Sequence, residues 1–287
     1  VGVPTSNVIG SLLDQNVSSY SHQRFTKSFA AGDLLFEQHR VAGDGIIPGT
    51  VMLEMARQAG EASFDEFVQG LENVIWVQTV NRPGEVRIDL FEQAGHFCFS
   101  ICSESEDGEA LVHCQGTYLL GDAIITAGQA LESPDLGIAD GTLDKAEIYQ
   151  AFRDGGLDYG MDFQGIRQLT RVGEVVWADL SIEAEIEPAI KMDCCLQTVM
   201  GLTRRSGDAV SIPFSLERVL FHKTFPQNYH CRVNTVSTAS KQLKFDITAC
   251  DNDGVALMTF EGFGMRQLSG EGVIEDFPEN TVCGFES

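Results

Sequence analysis

Two apolar segments, each opened by a proline and each followed by a train of strand-like runs, constrain the fold of this 287-residue chain more than any other feature. Pro48 precedes residues 50–67, where Val51, Met52, Met55, Ala56 and Ala59 recur at helical spacing. Pro188 stands in the same relation to residues 189–204, and each proline has a methionine four residues on, Met52 and Met192. Proline suits the first position of a helix because its φ is fixed and its missing N–H would have no partner there. Strand-like runs follow the first segment at 74–80, 85–90, 97–102 and 110–120, and the second at 211–222, 229–237, 242–250 and 255–267. Further strands are expected at 24–29 and 172–182, with a short helix at 143–152. The expectation is an α+β chain of two similar units, each a long helix able to be wrapped by an antiparallel sheet. The units span 1–121 and 143–268. A glycine-, alanine- and acid-rich linker at 122–142 separates them, and an acidic tail occupies 269–287.

Net charge is −23, from 42 acidic against 19 basic residues, which argues against binding nucleic acid or an anionic membrane. Residues 1–20 lack a basic region followed by a continuous apolar run, and no apolar stretch is long enough to span a bilayer. A soluble, cytoplasmic protein is the expectation. The eight cysteines form no Cys-x-x-Cys pair, so buried thiols in a reducing compartment are expected, with no metal.

Three places carry possible chemistry. His39 lies in the glycine-rich run Glu37-Gln38-His39-Arg40-Val41-Ala42-Gly43-Asp44-Gly45-Ile46-Ile47-Pro48 at the mouth of the first helix. A neutral imidazole there could serve as a general base, or be only a solvated loop histidine. Asp193 and Gln197 stand at i and i+4 on the second helix among Ile190, Met192, Cys194, Cys195, Leu196 and Val199. Such company would desolvate the carboxyl and favour its protonated, acid form; an ordinary first-turn aspartate, with Gln197 exposed, is the other reading. The run Gly156-Leu157-Asp158-Tyr159-Gly160-Met161-Asp162-Phe163-Gln164-Gly165 could hold a phenol at the edge of a site, or form an ordinary turn anchored by Tyr159 and Phe163.

Taken together, His39-x-x-x-Gly43-x-x-x-x-Pro48, Tyr159-Gly160-x-x-Phe163-Gln164 and Asp193-x-x-x-Gln197 resemble, in order and separation, the dehydratase domains of modular polyketide synthases. Pro213–Val219, Phe260-Glu261-Gly262-Phe263 and the opening Asn7–Leu13 add to a resemblance covering about residues 6–268. It implies a double hotdog, two helix-in-sheet folds fused in one chain, with histidine from the first meeting aspartate from the second. It further implies removal of water from a β-hydroxyacyl thioester carried on the phosphopantetheine of an acyl carrier protein, with no cofactor of the domain's own.

By that resemblance His39 takes the α-proton and Asp193 protonates the departing hydroxyl. Gln197 and Tyr159 orient Asp193 and the hydroxyl, while backbone near Gly43 and the Pro48 helix polarises the thioester carbonyl. Partners would be the acyl carrier protein, neighbouring synthase domains and a second copy of the chain. Lys191, Arg204 and Arg205 are the candidate docking cations on this acidic protein. Two positions depart from the family pattern: Met161 stands where proline is common, and Ser6-Asn7 where His-Pro is common. Related catalysts of the same fold remain alternatives, namely a double-bond isomerase, a pyran synthase or a product-template cyclase. So does a hotdog that binds carriers without catalysis. Retention of His39, Pro48, Asp193 and Gln197 disfavours them. His22, His96, His113, His222 and His230 match no motif and are read as structural or surface residues.

Overall fold

The computed structural model describes residues 10–121, 131, 139–183, 187–203, 211–237 and 242–267. The first half contains strands β1 (Gln15–Asn16) and β2 (Gln23–Phe29), a one-turn helix α1 (Leu34–Glu37), and a hairpin of β3 (His39–Val41) and β4 (Asp44–Gly45). The central helix α2 (Gly49–Glu61) follows, then β5 (Phe67–Trp76), β6 (Gly84–Gln93), β7 (His96–Glu104) and β8 (Ala110–Gly121). The second half begins with β9 (Gly141–Asp144), α3 (Lys145–Asp154), β10 (Leu157–Tyr159), β11 (Ile166–Val172) and β12 (Val175–Ser181). Helices α4 (Pro188–Gln197) and α5 (Met200–Thr203) come next, then β13 (Ser211–Phe221), β14 (Asn228–Ser237), β15 (Gln242–Cys250) and β16 (Ala256–Gln267).

Thirteen strands form one sheet in the order β1-β2-β6-β7-β8-β5-β13-β16-β15-β14-β12-β11-β9. In each half the strand that follows the central helix lies at the seam, and these two strands, β5 and β13, pair antiparallel through Leu71↔Val219 and Ile75↔Ser215. The halves therefore meet edge to edge, each completing the other's sheet, and neither leaves an unpaired edge at the seam. Helices α2 and α4 pack against each other on the same structure, and one contiguous core runs from Leu13 and Leu53 through Leu71 to Phe245 and Phe260.

Both central helices are shorter than their apolar patterns predict. Helix α2 ends at Glu61, and β5 already begins at Phe67, seven residues ahead of the expected strand. Asn73, at φ 52°, falls where the β5–β8 register shifts, and this break in alternation hides the strand from a period-two reading. Helix α4 stops at Gln197, where the Thr198 hydroxyl bonds back to the Cys195 carbonyl at 2.5 Å and competes with the helical ladder. Pro188 occupies the first helical turn as expected. Pro48 instead caps α2 from outside with an extended backbone, φ −56° and ψ 142°. Strand β9 starts at Gly141, inside the stretch expected to be linker. The acidic tail 269–287 lies outside the described residues. The seven described cysteines are buried thiols, none in a disulfide.

The seam tolerates no side chain at Gly70, where an added Cβ would stand 2.1 Å from the Val219 carbonyl oxygen. Backbone, not a flexible side chain, would have to move. Gly70→Ala is expected to destabilise the protein by about 1–3 kcal/mol, the usual cost of overpacking a close-packed interior, read as a lower urea midpoint at unchanged slope. An unchanged midpoint would show that the two halves can separate at this point without cost.

Candidate active site

The site begins with a short strand. His39 is the first residue of β3, and the hairpin it enters turns at Ala42 and Gly43, both with positive φ (52° and 94°). Two successive positive φ values are what a tight hairpin turn requires, and glycine supplies the second without strain. Gly43 thus lies at the exposed tip of the hairpin. The return strand brings the Ile46 carbonyl 2.8 Å from His39 Nδ1. A carbonyl only accepts, so Nδ1 carries the proton and the neutral ring presents its lone pair at Nε2. Ile47 then donates to the Val80 carbonyl at 2.9 Å, which ties the hairpin's exit to the first half.

Asp193 reaches the same place from α4. Its Oδ1 lies 3.9 Å from His39 Nε2, and both residues are only 8% exposed. Gln197, one turn on, donates from Nε2 to Asp193 Oδ2 at 2.9 Å and to the Phe163 carbonyl at 3.1 Å. Burial raises the Asp193 carboxyl above its ordinary value, opposed by His39 when its ring is protonated and by the Gln197 hydrogen bond. Desolvation wins because α4 is buried along nearly its whole length, from Ala189 to Gln197. The alternative of a dipole-favoured aspartate beside an exposed glutamine is excluded: Gln197 is 5% exposed and bonded on both ends.

The tyrosine loop closes over the pair. Strand β10 pairs with β3 so that Tyr159 stands opposite His39, joining the two halves a second time in a three-stranded sheet, β10-β3-β4. The Tyr159 and Phe163 rings sit 5.3 Å and 5.4 Å from the imidazole. Burial, with the Asp193 and Cys194 charges nearby, pushes the Tyr159 phenol well above its ordinary range, so it remains a donor. Gly160 donates to the Gln38 carbonyl at 2.7 Å, and a Cβ there would lie 2.5 Å from Gln38 Cγ. Gln38 also clasps Asp162, its amide donating to Oδ2 and its oxygen accepting from the Asp162 N–H, both at 2.8 Å. Met161, where the family commonly has proline, is 84% exposed on this loop.

His39, Tyr159, Gly160, Phe163, Asp193 and Gln197 therefore converge, while Pro48 stands at the N-terminus of α2. Lys191 does not belong on a docking surface: it is 2% exposed, its Nζ lies 3.5 Å from the Phe225 carbonyl, and the buried α4 turns it inward. Arg204 and Arg205 lie outside the described residues. Of the unmatched histidines, His113 is buried against Ser103 and Gln78, and His230 pairs with Asp179. Three site residues escaped the sequence reading. Gln38, next to His39, matches no motif. Asp162 falls in a run that also reads as an ordinary turn, and Tyr149 lies in the short helix expected at 143–152 with no motif to single it out.

A carboxyl held above its ordinary value binds its proton more tightly in the folded protein. Its contribution therefore weakens folding as pH rises from 3.8 through the raised value. Asp193→Asn is expected to unfold at a higher temperature than the wild type at pH 7, with the difference shrinking as pH falls and vanishing only well below the ordinary value of 3.8, where the carboxyl is protonated in both states. A gain independent of pH would reject this origin.

Family models match both halves of the chain: "Polyketide synthase dehydratase domain" over residues 11–104 and "Polyketide synthase dehydratase N-terminal domain" over residues 129–274. Polyketide synthase PksM of Bacillus subtilis (strain 168) is 30% identical over 93% of the chain, which spans only 7% of that protein. PksN of the same organism is 28% identical over 91%, and the chain spans 5% of it. Among solved structures, a trans-AT PKS dehydratase domain from Brevibacillus brevis matches with TM-score 0.80 and 28% identity, covering 90% of this chain and 98% of that one. The dehydratase domain of RzxB from Pseudomonas fluorescens matches with TM-score 0.80 at 21% identity, covering 90% and 99%. The one continuous sheet with its two central helices is thus the double hotdog of these dehydratases. The chain belongs to the polyketide synthase dehydratase family, whose activity in general is that of a lyase removing water in polyketide synthesis.

Proposed function

We propose that this domain dehydrates a β-hydroxyacyl thioester, presented on the phosphopantetheine of an acyl carrier protein, to the α,β-unsaturated thioester. One observation carries the reading: His39 Nε2 and Oδ1 of a carboxyl whose affinity for its proton burial raises lie 3.9 Å apart. A base and an acid at that separation can address adjacent carbons of one chain. His39 Nε2 takes the α-proton, the C–H electron pair becomes the new C=C bond, and the β C–O bond breaks as Asp193 delivers its proton to the leaving oxygen. Both steps gain from burial, because proton donors and acceptors act more strongly where water is excluded.

The negative charge that develops on the thioester carbonyl needs donors. The first turn of α2 supplies backbone N–H groups without helical partners at the positive end of the helix dipole. Tyr159, a partly buried phenol beside the imidazole, orients the β-hydroxyl, and Gln197 holds the acid. No metal or cofactor of the domain's own enters this scheme. Carrier delivery, neighbouring synthase domains and a homodimer belong to the same proposal. The great length of PksM and PksN relative to this chain supports the second of these. Tethering of the carrier in one polypeptide would make weak docking sufficient.

The test is mass spectrometry of a carrier-bound β-hydroxyacyl substrate. Loss of one water is expected with the wild type. His39→Ala and Asp193→Asn should each slow it about 10²–10⁴-fold, the usual worth of a positioned general base or acid. Undiminished water loss in both variants, or none in the wild type over a panel of chain lengths, would refute the reading.

A further inference from the structure

Gln197 poses a problem of orientation, because a side-chain amide has two nearly isosteric ends and only one of them can serve Asp193. Its Nε2 end faces the Asp193 carboxyl and the Phe163 carbonyl, both acceptors. Its Oε1 end faces the hydroxyl of Tyr149 at 3.2 Å. That hydroxyl already accepts from the Ile166 backbone N–H at 3.0 Å, so its own proton must point elsewhere. The Phe163 carbonyl is 3.3 Å away, but it receives the Gln197 amide at 3.1 Å and the Cys194 thiol at 3.2 Å. Oε1 is the acceptor that needs the phenol proton.

Turned the other way, the amide would set oxygen against the Phe163 carbonyl and the Asp193 carboxyl, and NH₂ against a phenol that already takes the Ile166 proton. Tyr149 is 3% exposed, and burial keeps its phenol protonated and donating. An unsatisfied buried polar group costs on the order of 1–3 kcal/mol, enough to make the flipped amide a minor state. The backbone links in this chain are fixed as well: Ile166 opens β11, and Phe163 ends the loop that holds Tyr159 against His39.

We propose that Tyr149 is a positioning residue that fixes the amide of Gln197 and thereby places the acid proton of Asp193 on Oδ1. With Oδ2 occupied as the acceptor of the Gln197 amide, the proton of the neutral carboxyl goes to the oxygen that faces His39 Nε2. The acid proton and the base's lone pair then open on the same space. The kinetic consequence of this assignment rests on the dehydration reading; the hydrogen-bond assignment does not.

The experiment separates the two. Asp193 is titrated by NMR with ¹³C-labelled aspartate, its signal assigned by loss in Asp193→Asn. Donation from the Gln197 amide stabilises the carboxylate, so Gln197→Leu should raise the Asp193 midpoint. Tyr149→Phe should raise it too, by freeing the amide to turn, and the double variant should titrate with Gln197→Leu alone. An unmoved midpoint in Tyr149→Phe, or a full additional shift in the double variant, overturns the proposal. A merely structural tyrosine would not give this non-additivity.

In turnover of a carrier-bound substrate, Tyr149→Phe should lower kcat about tenfold with KM changed less than about twofold, as expected for a group that acts on the chemical step rather than on binding. Non-additive titration in a protein that removes no water supports the positioning role while refuting dehydration. Should Tyr149→Phe fail to fold, the wild-type protein still decides. The two Gln197 side-chain amide protons, identified by their loss in Gln197→Leu, must exchange with solvent far more slowly than a free amide; exchange at the free rate overturns the proposal.

Discussion

The pairing of β5 with β13 is the constraint on which everything else in this molecule depends. Each is the strand that follows its half's central helix, so joining them edge to edge also sets α2 beside α4. His39 and Asp193 lie at the two helices, one just before α2 and the other within α4. Neither half contains both groups, and neither half alone could shield its own from water. The site is therefore a product of the seam, and its geometry is inherited from backbone hydrogen bonds rather than from side-chain contacts alone. The closeness of Gly70 to the Val219 carbonyl shows how little slack that seam has.

A buried acid beside a buried base is an arrangement that folding alone would not favour. Desolvation of Asp193 destabilises its ionised form, and the opposing pull of a protonated His39 and of the Gln197 hydrogen bond does not restore it to its ordinary value. The remainder is a carboxyl that holds its proton where a surface aspartate would have lost it. Such strain is tolerated when the surrounding packing over-determines it. Here that packing is α4, buried from Ala189 to Gln197, together with the aromatic rings of Tyr159 and Phe163 that flank the imidazole. Stability given up at Asp193 is offset by the core around it.

Much of this was legible in the chain. The proline-opened helices and the strand trains behind them gave the α+β architecture. The family resemblance carried by His39, Tyr159-Gly160 and Asp193-x-x-x-Gln197 marks residues that converge, whereas Gly43, in the same motif, stands at the exposed tip of its hairpin. What stayed hidden has physical causes. Strand β5 was displaced because Asn73 breaks its alternation. Helix α4 was read too long because a threonine's bond to its own backbone is invisible in an apolar pattern. Lys191 was read as a surface cation because charge is a poor guide on a helix buried on every side. The Ile46 carbonyl that sets the His39 tautomer is a contact across one hairpin, and the Tyr149 hydroxyl that faces the Gln197 amide is a contact across the fold. Periodicity and spacing report on neighbours along the chain, so neither contact leaves a local trace.

A second, smaller seam refines what the first makes possible. Strand β10 of the second half pairs with β3 of the first, residue against residue at Tyr159 and His39. Gln38, next to the base, bonds Gly160 through its backbone and Asp162 through both ends of its amide. The large sheet brings α2 and α4 together, but a sheet of thirteen strands cannot by itself hold one imidazole against one phenol to within a bond length. Three short strands and a glutamine clasp can, because every contact in them lies within two residues of His39 or three of Tyr159. The same loop carries Phe163, whose carbonyl accepts from Gln197, so the clasp that places Tyr159 over the base also fixes an anchor for the acid's partner. Base and acid are thus registered to each other twice, once through the seam of the fold and once through a loop that touches both.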